Sequence, residues 1–318
     1  MPLSHSKHAV LFGGAGFIGS YLINALSRGG WTMTVVTKHP HRHRSLLVIP
    51  SLKMVETGDL SSDYIGSLIS ESDTVVNLIG ILNQSRIDTF AEIHASLPGR
   101  IAEACLQRNA RRLVNISALG SDVNAPSQYL KSRAQGEQAV QSVIEKGLEC
   151  TIIRPSIVFG PGDSFSRMFH QMLSMSPVLF PLILPKVRVQ PVYVGDVVRC
   201  IAHAIDVKFT DQGKFDVAGP EIFTLREFVS LVDRFGGMRH KIVGLSPGLS
   251  KLLASFAQFA PGKPLTPDNL RSLQASVAIG EGMPEPYGVQ PTRFESVAGE
   301  WLSPQIDKFD QFRTQAGR

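Results

Sequence analysis

The sequence has few cysteines and no long apolar segment, and both absences narrow the class of protein. Its three cysteines, Cys105, Cys150 and Cys200, stand far apart in 318 residues and match neither metal-site nor redox-pair spacing. We therefore expect buried thiols in a reducing compartment, and no metal site. The nearest candidate for a membrane span, residues 178–184, is far shorter than the ~20 residues that cross a bilayer.

A strong charge of either sign is also absent. The formal net charge is +5 and the basic residues are dispersed, so no nucleic-acid partner is predicted. No signal peptide is expected, because the first predicted strand begins almost at the N-terminus. These features favour a cytoplasmic location, or the equivalent mitochondrial-matrix side, and leave a peripheral membrane contact open.

The most informative pattern in the sequence lies in the first forty residues, which contain an apolar strand, a glycine turn, an amphipathic helix and a second strand. A glycine after a buried strand (Gly13) permits a tight turn, the next (Gly16) lets the backbone approach a pyrophosphate, and the third (Gly19) lets the helix pack closely. The helix N-terminus then offers free N–H groups and its positive dipole end. Because a strand and a helix flank the turn, it predicts a bound dinucleotide.

The end of the second strand indicates which dinucleotide. An acidic residue there would hold the ribose hydroxyls of NAD, but this chain has Thr37, Lys38 and further basic residues that include Arg42. A carboxylate would repel a 2′-phosphate, whereas lysine and arginine attract it. NADP(H) is therefore predicted in preference to NAD(H), with a solvated basic loop as the alternative.

Apolar strands alternate with helices over the first half of the chain. This alternation predicts an α/β fold with a Rossmann-like, doubly wound parallel sheet. The helix around residues 90–105 contains Pro98, which is expected to kink or split it. The predicted strands are residues 8–12, 31–37, 52–57, 73–80, 112–117 and 150–154.

The alternation is looser after residue 160. We predict an NADP(H)-binding domain over residues 1–160, to which elements near 187–220 return, and a smaller α/β domain for substrate or interaction over residues 161–318. The run 178–184 is interpreted as core packing; an apolar wall for a hydrophobic substrate and a membrane-proximal contact are the alternatives. Later helices are expected at 196–205, 224–235, 246–259 and 267–273.

Several segments together resemble the extended short-chain dehydrogenase/reductase superfamily, also called the NAD-dependent epimerase/dehydratase superfamily. They are the glycine turn, Asp59, the Ser117-Ala-Leu-Gly segment, Tyr129 and the Arg-Pro-Ser-Ile-Val-Phe-Gly segment at 154–160. His94 and residues 113–120, 127–137 and 264–269 are similar to one atypical branch. That branch comprises the nucleotide-binding accessory subunit of respiratory complex I and its bacterial relatives.

The resemblance implies a reactive centre made of Ser117, Tyr129 and position 133. In the superfamily a lysine four residues after the tyrosine lies on the same helix face and binds the nicotinamide ribose, while the serine orients the substrate oxygen. Here Arg133 replaces that lysine. Arginine keeps the charge but stays protonated, so a proton relay is impaired and catalysis is left open.

The resemblance also implies which residues contact the cofactor. Asp59 is expected to accept from the adenine amino group or, alternatively, only to cap the next helix. His94 is expected to be structural, and Asp196 to cap the helix that follows it. The predicted cofactor contacts are Gly13, Gly16, Phe17, Ile18, Gly19, Lys38, Arg42, Asp59, Leu60, Leu78, Gly80, Tyr129, Arg133, Pro155 and Ile157.

Three functions follow, in order of preference. The first is an NADP(H)-dependent reductase acting on a small lipophilic carbonyl or quinone-pathway compound. The second is a non-catalytic NADPH-binding accessory protein of a respiratory, complex I-like or ubiquinone-biosynthesis assembly. The third is a sugar-nucleotide epimerase or dehydratase, which the weakly polar, proline-broken segment 176–188 disfavours.

Overall fold

The computed structural model describes residues 7–71, 73–206, 213–245, 266–275, 283, 288 and 290–303. The strands are β1 (His8–Phe12), β2 (Thr32–Thr37), β3 (Leu52–Glu56), β4 (Thr74–Asn77), β5 (Arg112–Ile116), β6 (Cys150–Pro155), β7 (Val158–Phe159), β8 (Leu179–Leu182), β9 (Arg188–Val189), β10 (Val192–Tyr193), β11 (Gly213–Val217), β12 (Phe223–Thr224) and β13 (Lys241–Gly244).

The helices flank these strands. They are α1 (Phe17–Arg28), α2 (Ser62–Leu68), α3 (Leu97–Gln107), α4 (Gln128–Ile144), α5 (Phe165–Ser174), α6 (Val194–Ile205), α7 (Leu225–Phe235), α8 (Pro267–Ala275), α9 (Phe294–Val297) and α10 (Gly299–Leu302). A 3-10 helix covers Pro40–Leu46, and a π-helix covers Ala91–Ser96. In the described ranges no helix is both long and apolar enough to cross a bilayer.

A seven-stranded sheet organises the molecule, in the order β11-β6-β5-β4-β1-β2-β3. Every ladder in it is parallel. The strand order reverses between β1 and β4, which is the switch point where open α/β sheets bind ligands. The predicted Rossmann-like, doubly wound fold is confirmed.

Two hydrophobic cores cover the faces of this sheet. One joins α1 and α6 through residues such as Leu22 and Ile201. The other joins α3 and α4 through residues such as Ile101 and Val140. Because α6 packs on α1 and β11 pairs with β6, elements from the second half of the chain complete the seven-stranded sheet.

A third core gathers later elements around aromatic side chains. Its fully buried members include Phe159, Phe169, Phe228 and Phe294. The predicted burial of the 178–184 run holds for alternate residues: in β8, Phe180 and Leu182 join this core, and Leu179 is exposed. The domain boundary after residue 160 stays a prediction.

One sequence expectation needs correction, and two details add to the predicted pattern. The stretch between β2 and β3 forms a 3-10 helix, and residues 187–194 contain two short strands, β9 and β10, separated by Gln190 and Pro191. Asp196 is not a helix cap: Tyr193 occupies the N-cap of α6, and buried Asp196 accepts from the Thr292 N–H at 2.6 Å. The helix predicted at 246–259 lies outside the described residues.

The helix that contains Pro98 changes geometry there, as expected. The π-helical turn ends at Ser96, and Pro98 falls in the first turn of α3, where a missing N–H costs little. Gly136 on α4 packs against this turn, since a Cβ at Gly136 would lie 1.9 Å from the His94 carbonyl oxygen. This close approach holds α4 against the π-helical turn.

Candidate nucleotide-binding site

The loop of residues 13–19, called the glycine loop below, packs against the end of β4. Gly13 has φ of +74°, a conformation that side chains rarely adopt, and a Cβ there would lie 3.0 Å from the Ile79 nitrogen. Its own N–H donates to the Val36 carbonyl at 3.2 Å. The loop therefore sits at the switch point between β1 and β4.

Gly16 and Gly19 differ in what surrounds them. A Cβ on Gly19 would lie 2.2 Å from the Gly14 carbonyl oxygen, so this glycine allows α1 to pack on the loop. A Cβ on Gly16 would meet only the Gly13 carbonyl oxygen, at 3.2 Å. Gly16 is the N-cap of α1 and brings no capping side chain, which leaves the helix start available to an anion.

The first residues of α1 meet a turn from later in the chain. Phe17 lies 3.8 Å from the position of a Cβ on Gly162, and the Tyr21 hydroxyl donates to the Pro161 carbonyl at 2.9 Å. Ile18 packs against the α1–α6 core. The segment after β7 is thus held next to the helix N-terminus.

The basic segment after β2 contains one cation in an ion pair, Lys38, and exposed arginines that include Arg42. The Lys38 ammonium donates to the Asp88 carboxylate at 2.6 Å, and both side chains are about one-third exposed. Arg42 is exposed on the 3-10 helix, and its side chain has no acceptor among the residues that the structure describes. The Arg42 guanidinium is therefore more accessible to a ligand than the Lys38 ammonium.

Asp59 and Leu60 follow β3. The Asp59 carboxylate accepts from the Ser61 N–H at 2.8 Å, and Ser61 occupies the N-cap of α2. The alternative prediction that Asp59 caps this helix is therefore wrong, while its contact with adenine stays a prediction. Leu60 packs against the core beneath α3 and α4.

The end of β4 and the start of α4 meet at Arg133. The Arg133 Nη1 donates to the carbonyls of Ile79 at 3.4 Å and Ile116 at 3.2 Å, at the ends of β4 and β5. A Cβ on Gly80 would lie 2.1 Å from Nη2 of Arg133, so any side chain at this position would force the guanidinium to move. Leu78 packs against the α1–α6 core.

Tyr129 lies one turn before Arg133. The guanidinium carbon of Arg133 is 5.5 Å from the centre of its ring, and the Phe90 ring packs edge-on against it at 5.9 Å. Among the described residues its hydroxyl has no hydrogen-bond partner. The tyrosine hydroxyl therefore remains available to a ligand.

Ser117 is committed to a buried carboxylate. Its hydroxyl donates to Glu137 at 2.5 Å, and Glu137 is only 1% exposed. The Arg154 guanidinium donates to both oxygens of the same carboxylate, through Nε at 2.8 Å and through Nη2. The hydrogen bond to Glu137 raises the pKa of Arg154 against the opposing effect of burial. Because its proton is held by Glu137, Ser117 can accept from a ligand but is poorly placed to donate.

His94 is buried beside Tyr129, as a structural histidine. Its Nε2 accepts from the Ile81 N–H at 3.0 Å, so Nδ1 carries the proton and donates to the Ser132 hydroxyl at 3.0 Å. Burial, followed by the charge of Arg133, lowers the pKa of His94 to about 2. The ring is therefore neutral and fixes the segment after β4 to α4.

Pro155 and Ile157 border the site from the end of β6. The Pro155 carbonyl accepts from the Leu119 N–H at 2.9 Å, and the Ile157 carbonyl accepts from the Val192 N–H at 2.9 Å. These hydrogen bonds fix both backbones near the carboxyl ends of the strands, where Ser117 also lies. Their contact with a cofactor stays a prediction.

The comparison with protein families follows this geometry. The model of the NAD dependent epimerase/dehydratase family matches residues 9–218, which include the glycine loop, Tyr129 and Arg133. The chain belongs to this family. The Bordetella bronchiseptica enzyme WbmH, solved in complex with NAD+, has a similar fold: its TM-score is 0.67 at 18% identity, over 93% of this chain and 97% of that one.

Relatives within the family include respiratory subunits. NADH dehydrogenase (ubiquinone) 1 alpha subcomplex subunit 9, mitochondrial, of Mus musculus is 28% identical over 96% of this chain and 85% of its own length. The mitochondrial NADH-ubiquinone oxidoreductase 40 kDa subunit of Neurospora crassa is 29% identical over 77% of this chain. The match spans 64% of the Neurospora protein, a little under two thirds.

An enzyme is also among the relatives. Ceramide reductase of Caulobacter vibrioides is 29% identical over 58% of this chain and 56% of its own length. The predicted membership of the extended short-chain dehydrogenase/reductase family, close to complex I accessory subunits, is confirmed.

The sequence interpretation of this family member missed Glu137 and the reach of Arg154. Leu130, Ala134 and Glu137 share the buried face of α4, and a carboxylate among apolar residues on such a face signals a buried partner.

The three cysteines are buried as predicted, and burial raises the pKa of each thiol. Where the structure describes the chain, no cluster of metal-ligating side chains is found.

Proposed function

We propose that this protein binds NADP(H) at the glycine loop and holds it with little turnover, as an accessory component of a respiratory or quinone-related assembly. One observation carries this proposal: the two groups that should flank Tyr129 are both engaged by the protein. Arg133 is hydrogen-bonded to the strand-end carbonyls of Ile79 and Ile116, and the Ser117 proton is held by Glu137.

Arg133 can still hold a nucleotide in this arrangement. Its Nη1 is used by the two carbonyls, whereas Nη2 has no acceptor in the described part of the chain and lies against Gly80. A guanidinium in this place supplies a fixed donor and a positive charge to a ribose, but it does not release a proton at neutral pH. Binding is thus supported more strongly than proton transfer.

The accessory role rests on the relatives rather than on the site. The mouse and Neurospora proteins are named as subunits of the mitochondrial NADH–ubiquinone oxidoreductase, and the mouse protein matches 96% of this chain. We propose a comparable place for this chain, in peripheral contact with a membrane assembly. The nucleotide would then stabilise the fold in the manner of any ligand that binds only the native state.

The preference for NADP(H) is tested at Arg42. Replacing Arg42 by alanine should weaken NADPH binding roughly 10- to 100-fold, because a charge-assisted contact with the 2′-phosphate is lost. NADH binding should change less than about twofold. The measurement is a fluorescence titration with both nucleotides, and Lys146→Ala, which removes an exposed charge after α4, is the matched control. Equal loss for both nucleotides would contradict the assignment.

A reductase acting on a lipophilic carbonyl or quinone is the second candidate, because the Tyr129 hydroxyl is uncommitted and because a ceramide reductase is among the relatives. If the protein is a reductase limited by its arginine, Arg133→Lys should raise the rate at which a panel of carbonyls or quinones oxidises bound NADPH. We expect an increase of about tenfold or more, because general acid catalysis contributes about 10²–10⁴-fold when it is fully restored.

Tyr129→Phe is the control for that experiment. In the Arg133→Lys background it should return oxidation to the level of the unmodified protein, because the proton donor is removed. If Tyr129→Phe changes the rate of NADPH oxidation neither in the unmodified protein nor in the Arg133→Lys variant, the protein is not a reductase of this kind, and the proposal that it only holds the nucleotide stands.

A further inference from the structure

Helix α8 lies far from Tyr129 along the chain but contacts its backbone. Asp268, in the first turn of α8, accepts from the Gln128 N–H at 2.8 Å through Oδ1 and from the Tyr129 N–H at 3.0 Å through Oδ2. These partners are 140 and 139 residues away in the sequence. A carboxylate from the C-terminal part of the chain therefore reaches the start of α4.

This carboxylate completes the N-terminus of α4. The first N–H groups of a helix have no acceptor within the helix. Ser127 accepts from the Leu130 N–H at 3.1 Å, and α4 has no acidic residue in its first turn. Asp268 supplies acceptors for the Gln128 and Tyr129 N–H groups and places a negative charge at the positive end of the helix dipole.

Helix α8 also contacts the opposite side of the site. The Asn269 amide donates to the Asn83 side chain at 3.3 Å, and Asn83 belongs to the segment after β4. At the other end of α8, Ala275 packs against the small cluster of Ala118 and Leu130 that Tyr129 also joins. Helix α8 thus joins the start of α4 to the segment after β4, which are the two elements bordering Tyr129.

We infer that Asp268 is a positioning residue: it anchors the start of α4, fixes Tyr129 and Arg133 at the nicotinamide end of the site, and couples the C-terminal segment to the bound nucleotide. The part that concerns the nucleotide rests on the proposed function. The anchoring of the α4 backbone does not.

Two measurements on the full chain test this inference with Asp268→Ala. First, hydrogen exchange of the Gln128 and Tyr129 amides should accelerate roughly 3- to 30-fold, the range for a lost cap. Second, the dissociation constant for NADPH should rise about three- to tenfold, while that for 2′,5′-ADP, which lacks the nicotinamide half, changes less than twofold. Nicotinamide fluorescence in the bound state should shift toward that of free NADPH.

Three further variants separate positioning from general destabilisation. Gln274→Ala, at an exposed position of the same helix, should change neither measurement. Asn269→Ala should leave the Gln128 and Tyr129 amides protected. Asp268→Asn, which keeps one acceptor oxygen, should give an intermediate exchange rate and serves if the alanine variant does not fold.

Unchanged exchange at both amides in Asp268→Ala would overturn the inference. Equal weakening of NADPH and 2′,5′-ADP would also overturn it, because a general loss of structure would act on both halves of the nucleotide. If the unmodified protein binds neither ligand, the proposed function fails, and the amide exchange alone decides whether Asp268 anchors α4.

Discussion

Gly16→Val is expected to abolish nucleotide binding while leaving the protein folded. The Gly16 backbone is extended, with φ of −73° and ψ of −174°, so a valine can adopt it without strain. Its Cβ would lie 3.2 Å from the Gly13 carbonyl oxygen, a close contact that a shift of a few tenths of an ångström relieves, and the isopropyl group would project into the space proposed for the pyrophosphate. Losing two or more N–H contacts to a phosphate should raise the dissociation constant by at least about 100-fold.

The matched control for this variant is Gly213→Val. Gly213 begins the edge strand β11, which three strands separate from β1, and a Cβ there would make ordinary contact with Phe215 at 3.8 Å. We expect unchanged NADPH binding and a melting temperature close to that of the unmodified protein. Full NADPH affinity in a folded Gly16→Val protein would refute the placement of the nucleotide on the glycine loop.

Glu137→Ala is expected to lower the free energy of unfolding by about 3–5 kcal/mol, the cost of breaking a buried ion pair. Glu137 is 1% exposed and accepts from Ser117 and Arg154, and the Lys214 ammonium lies 3.5 Å away. Removing the carboxylate leaves the Arg154 side chain, only 21% exposed, without its main partner. Urea unfolding followed by tryptophan fluorescence measures the change.

An exposed pair provides the control for Glu137. Glu92 pairs with Arg100 on the surface, and its side chain is 47% exposed, so Glu92→Ala should cost less than about 1 kcal/mol. Replacing Glu137 by leucine and Arg154 by methionine together should recover part of the lost stability, because the Arg154 guanidinium is then no longer buried without the Glu137 carboxylate. If Glu137→Ala costs no more than Glu92→Ala, the network does not stabilise the fold as described.

The glycine loop and the sheet could be predicted because their signals are local. The spacing of Gly13, Gly16 and Gly19 between a strand and a helix carries its own backbone geometry, and the strand–helix alternation fixes a parallel sheet. The position of Arg133 could be predicted as a departure from the family pattern. The carbonyls that it binds could not, because Ile79 and Ile116 are distant in sequence and meet only in the folded sheet.

The remaining contacts depend on the folded structure in the same way. Ser117 is predicted to orient a substrate, but its hydroxyl donates to Glu137. The sequence does not indicate which of the many polar residues on α4 lies next to Ser117. Asp268 reaches Tyr129 across 139 residues, and no periodicity reports such a contact. Asp196 is predicted to cap its own helix because caps are local, whereas its carboxylate accepts from Arg199 on that helix and from the distant Thr292. Side-chain contacts between elements that are distant in the sequence therefore could not be predicted from the sequence alone.

The most direct test of the central claim is the identity and amount of nucleotide that acid releases from the freshly purified protein. Mass spectrometry and an enzymatic assay would measure NADPH, NADP+, NADH and NAD+ per chain. We expect close to one equivalent of NADP(H) and little NAD(H). Recovery of NAD(H) instead, or a protein without nucleotide that binds neither form on titration, would contradict the account.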